Sequence, residues 1–65
     1  MTAKDQLKVM KAGFIIIRED KEKLVIKAKF NDNKNWHTQY DGFKSYAELL
    51  RKKAELLKES IIVED

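Results

Sequence analysis

Cysteine and proline are both missing from this 65-residue chain, and glycine occurs only twice. Without cysteine there is no disulfide framework, no thiolate metal site and no thiol nucleophile, which excludes disulfide-stapled secreted folds and Cys-ligated zinc fingers. The same absence fits the cytoplasm, where we expect the protein to reside. Long apolar runs are missing too: the longest is Phe14-Ile15-Ile16-Ile17, against the roughly 20 residues needed to cross a bilayer. The N-terminus carries no signal-peptide apolar core, so the expectation is a soluble protein with no membrane partner. Gly13 and Gly42 stand alone, and neither belongs to a phosphate-cradling loop. The one histidine, His37, has no neighbouring motif that would make it a base or a ligand, and the acids are scattered. These absences point away from an enzyme, a metal, a cofactor or a small-molecule substrate.

What the chain does contain is 43% hydrophobic and 38% charged residues, the composition of one small domain, read as residues 1–65. A chain of this size buries only about 60% of the surface its unfolded form exposes, so its stability is expected to be marginal. The formal charge of +3 is too modest to imply a polyanion by itself, but its distribution is uneven. Residues 21–34 carry five lysines against Glu22 and Asp32, and residues 44–58 carry five basic residues against Glu48 and Glu55.

Thr2 followed by Asp5 reads as a capped helix start, with Ala3, Leu7 and Met10 at helical spacing, and Gly13 is placed for a left-handed C-terminal cap. The expected first helix is therefore 2–12. A sheet is expected over 14–41. Phe14 to Arg18 is dense in β-branched residues, while Leu24, Ile26, Ala28 and Phe30 alternate with Lys23, Val25, Lys27 and Lys29. Glu19 to Glu22 and Asn31 to Asn35 are polar connections suited to turns. In the third strand, Trp36, Thr38 and Tyr40 are expected on one face and His37, Gln39 and Asp41 on the other. Ser45 with Glu48 opens a second helix, expected over 45–59, whose apolar stripe is Tyr46, Leu49, Leu50, Ala54 and Leu57. The tail 61–63 is apolar and either docks on the core or adds a strand. The fold class expected is α+β, in the order α-β-β-β-α around a three-stranded antiparallel sheet.

The arrangement that could carry function is basic. Lys23, Lys27 and Lys29 lie on one face of the second strand, with Lys34 and Trp36 at the following turn. Lysines two residues apart project from the same side of a strand and can meet successive phosphates, while an aromatic ring beside them can pack on sugar or base. The plainer reading is a solvated face that discourages edge pairing, with Trp36 as a core anchor. Arg51-Lys52-Lys53 and Lys58 could extend the patch or form the wet side of the second helix. A second candidate is an interaction surface. Strand one is apolar on both sides, so Ile15 and Ile17, extended by Val25, need a cover, and a second copy or another protein could supply it.

The junction Tyr40-Asp41-Gly42-Phe43-Lys44-Ser45, followed by a helix with Ala47, Leu50 and Ala54, resembles the end of the arm-type DNA-binding domain of tyrosine recombinases. The plant ethylene-response-factor domain looks similar, with a tryptophan in strand three and an aromatic before the helix. The resemblance spans roughly residues 14–58. It implies a three-stranded sheet inserted into the DNA major groove, with Lys27, Lys29, Lys34 and Trp36 making contacts. The element order also looks like a double-stranded-RNA-binding domain, but Glu19-Asp20-Lys21-Glu22 lacks that family's Pro-His element. The expectation is thus a non-enzymatic DNA-binding module, with a homodimerising or protein-interaction domain as the alternative.

Overall fold

The computed structural model describes residues 1–31 and 35–65. Its elements run α1 (Ala3–Lys11), β1 (Ile15–Asp20), β2 (Val25–Lys29), β3 (His37–Tyr40), α2 (Tyr46–Leu56) and β4 (Ile62–Glu64). The α+β class holds. The three-stranded antiparallel sheet does not: four strands lie in the order β3-β2-β1-β4, and β4 runs parallel to β1. The tail expected at 61–63 supplies that fourth strand, pairing Ile15 with Ile62 and Ile16 with Val63. A three-residue apolar segment carries too little periodicity to announce a strand, and its partner lies far away in sequence.

Both helix starts form as their side chains dictate. Thr2 Oγ1 accepts from the Asp5 amide at 3.1 Å, and Ser45 Oγ accepts from the Glu48 amide at 3.2 Å. At the end of α1, the Gly13 amide donates to the Met10 carbonyl and the Phe14 amide to the Val9 carbonyl. This closure requires the left-handed backbone of Gly13, whose φ is +96°. Helix α2 stops at Leu56, short of the expected residue 59, because Leu57 to Ile61 turn the chain back toward the sheet.

Helices cover both faces of β1, which is why that strand is apolar on both sides. Ile16 (0% exposed) faces α1 with Met10, while Ile17 (2%) joins Ile26, Ala28 and Leu49 beneath α2. The patch expected from Ile15, Ile17 and Val25 is not assembled. In the β1–β2 register Ile17 opposes Ala28 and Asp20 opposes Val25, which sets Val25 on the α1 face and leaves Ile15 and Ile17 on the other.

Two helix stripes also differ from expectation. On α1 the buried residues are Gln6 and Met10, while Leu7 remains 42% exposed. Gln6 tolerates burial because both ends of its amide are satisfied, accepting from Lys29 Nζ at 3.0 Å and donating to Asp65 Oδ1 at 2.9 Å. On α2, Ala54 is exposed and Lys53 turns toward the sheet instead. Its ammonium meets Glu19 Oε1 at 2.7 Å and Glu64 Oε1 at 3.0 Å, tying α2 to β1 and β4. Bonding to Lys53, and secondarily to Tyr46, holds the Glu19 carboxyl below its usual value. Bonding to Glu19 in turn raises Lys53. Among the described residues, no helix is long and apolar enough to cross a membrane.

Candidate nucleic-acid interface

The α1 face of the sheet carries the basic residues. On β2, Lys27 and Lys29 project to this side, since their neighbours Ile26 and Ala28 are buried beneath α2. Arg18 on β1 joins them and stands directly opposite Lys27 in the antiparallel register. Two like charges so placed repel each other. Asp20, diagonal to Lys27, relieves part of that repulsion with its Oδ2 at 3.4 Å from Nζ.

Trp36, just before β3, completes the cluster. The Arg18 guanidinium lies 5.1 Å and the Lys29 ammonium 5.7 Å from the indole centroid, both within cation–π range. Arg18 belongs to β1 and Trp36 leads into β3, so their side chains meet above the intervening β2. The indole is half-buried, Arg18 and Thr38 are exposed, and α1 closes one end of the face through the Lys29–Gln6 bond. The result is an open shelf on which Arg18 and Lys29 lie over an aromatic plane and Lys27 lies beside it, with the carboxylates of Asp20 and Glu22 along the same hollow.

No protein family, curated protein or solved structure matches this chain. The functional reading therefore rests on this geometry.

Of the residues expected at the site, Lys27, Lys29 and Trp36 are brought together. Lys23 is not on the strand: it lies exposed in the turn between β1 and β2, its amide donating to Asp20 Oδ1 at 3.1 Å. That bond, with the Lys27 interaction second to it, holds Asp20 below its usual value. Lys34 lies outside the described residues. Arg51, Lys52, Lys53 and Lys58 do not extend the shelf, because α2 and its C-terminal turn belong to the opposite side of the sheet. Lys52 instead lies over Tyr40 at 4.9 Å, and Lys53 is committed to its carboxylates.

Sequence reasoning missed Arg18. Its parity with Ile16 was the available signal, but the partner on the next strand depends on register. The expected faces of β3 also need correction. Thr38 opposes Lys27 while Tyr40 opposes Ile26, so the strand bulges and leaves Gln39 as the extra residue. Trp36 and Thr38 stay on the basic face, and Tyr40 crosses to the α2 face, where it packs against the core.

A separate apolar groove of about 170 Å³ opens on the α2 face, bounded by Ile15, Phe30, Tyr40, Leu56 and Ile62. It marks where the last turn of α2 leaves the sheet incompletely covered.

Proposed function

We propose that this protein is a small non-enzymatic module that binds DNA through the basic shelf of its sheet, using Arg18, Lys27, Lys29 and Trp36. The observation that carries the reading is the placing of Arg18 directly across from Lys27. A like-charge pair beside a third cation is unfavourable in the free protein and becomes favourable once a phosphate lies between them. Phosphate contacts supply most of the affinity in this reading, and Trp36 supplies an aromatic plane for base or sugar.

Fluorescence anisotropy with a labelled mixed-sequence oligonucleotide tests the proposal. The expected dissociation constant is about 10⁻⁴ to 10⁻⁶ M near physiological salt, tightening steeply as salt falls. Arg18→Glu with Lys27→Glu should weaken binding sharply, and each lost phosphate contact should reduce the salt slope by about 1. Arg18 is exposed and Lys27 half-buried in its pair with Asp20, so circular dichroism checks that the double variant keeps the wild-type fold. An absence of binding at low salt, or unchanged affinity in the double variant, would remove the proposal.

A further inference from the structure

The shape of the shelf bears on which form of nucleic acid it accepts. From β1 to β3 it is three strands wide, about 10 Å at the usual strand spacing. Along the strands it is shorter, because α1 lies across the Ile16–Lys29 row and leaves the Arg18–Lys27 row and the Asp20–Val25 row open. A helix with its side chains is about 10–12 Å across, so α1 stands beside the shelf as a wall. A sheet that reads duplex DNA slots into a major groove about 12 Å wide, with phosphate backbones rising on both sides. Here one of those backbones would run into α1. A single strand has no second backbone and can lie in the angle between helix and sheet.

The chemistry agrees with the shape. The faces of paired bases are already stacked on one another, so an aromatic plane gains full stacking only from bases that are unpaired. Trp36 offers such a plane once the cations that lie over it, Arg18 at 5.1 Å and Lys29 at 5.7 Å, turn outward to hold the backbone. Resting on the DNA-binding reading above, we infer that the shelf binds single-stranded nucleic acid in preference to duplex, with an unpaired base stacked on Trp36.

Trp36 is the one tryptophan of the chain, so its emission reports on the shelf directly. The 65-residue chain is titrated at low salt with oligo(dT), with oligo(U) and with a mixed-sequence duplex of equal length, following both Trp36 emission and the anisotropy of labelled strands. The single strands should quench Trp36 and bind about tenfold more tightly than the duplex, the scale expected of one stacked base. Comparable affinity for oligo(dT) and oligo(U) assigns the shelf to the shared backbone and base chemistry, and a preference for either identifies the natural source. Trp36→Phe, which keeps an aromatic ring in place, should retain part of the single-strand advantage, and Trp36→Ala should abolish it, bringing single-strand affinity down to that for duplex. Duplex binding as tight as single-strand binding, without quenching, would overturn this inference while leaving the basic-shelf reading in place. No binding of any of the three would overturn both.

Discussion

Leu49 is the fully buried side chain through which α2 grips the sheet, at 0% exposure and in the same cluster as Ile17, Ile26 and Ala28. Replacing it with alanine removes three buried carbons from a place where sheet residues cannot close in. Buried Leu→Ala changes cost about 2–5 kcal/mol, and about 3 kcal/mol is expected here. A domain of this length has a total stability of about 3–10 kcal/mol, so the variant should sit near the edge of unfolding. At about 4–8 °C per kcal/mol for small domains, the melting temperature should fall by about 12–24 °C. Leu56 provides the control. It is half-buried beside the open groove, where solvent already reaches its neighbours, and Leu56→Ala should cost about 1 kcal/mol. Urea titrations followed by far-UV circular dichroism measure both, with the denaturant slope expected to stay constant. A loss below about 1 kcal/mol for Leu49→Ala, or equal losses for the two variants, would refute the docking of α2 through Leu49.

Glu19 and Lys53 predict a dependence on pH. With Glu19 lowered in the folded state, its contribution is fully present above its ordinary value of 4.5 and is lost as pH falls through the lowered value. Lys53 is raised, so its contribution is present below 10.5 and is lost as pH rises through the raised value. Lys53→Met should cost about 1–3 kcal/mol at pH 7 by stranding the half-buried Glu19, a penalty that shrinks below pH about 4 as the carboxylates protonate; melting curves across pH check this. Asp20→Ala should lower the melting temperature, because the Asp20 carboxylate accepts from two turn amides, yet tighten nucleic-acid binding by removing the acid beside Lys27. Calorimetry paired with anisotropy separates the two effects. Gly13→Ala should cost about 1 kcal/mol in urea unfolding from backbone strain alone, since nothing lies within 4 Å of the new Cβ.

The parts of this fold that are local in sequence could be read from it. The hydroxyl caps at Thr2 and Ser45, the glycine ending α1 and the two-residue alternation of β2 each depend on side chains a few positions apart. The parts fixed by distant pairing could be read only in part, the apolar tail being open to either docking or adding a strand. The Ile62–Glu64 strand exists because β1 offers it an edge, and the exchange of Ala54 for Lys53 on the inner side of α2 depends on carboxylates supplied by β1 and β4. The same division runs through the site. Lys27 and Lys29 follow from alternation, whereas Arg18 joins them through cross-strand register. The bulge at Gln39, which divides Trp36 from Tyr40, has no glycine or proline to mark it.

The parallel pairing of β4 with β1 also closes an edge that would otherwise be exposed. Residues 15–17 receive their second neighbour from residues 62–64, so this edge of β1 stays open until β4 docks. Until then three consecutive isoleucines lie on an open strand edge, able to pair with the same segment of another chain. By covering that edge, β4 acts as a guard against self-association, and the charged Arg18-Glu19-Asp20 that follows the isoleucines limits how far a mispaired strand can extend. Destabilising α2, which holds Glu64 of β4 through Lys53, would then do more than lower the melting point: it would raise the fraction of chains whose β1 edge is open to aggregation.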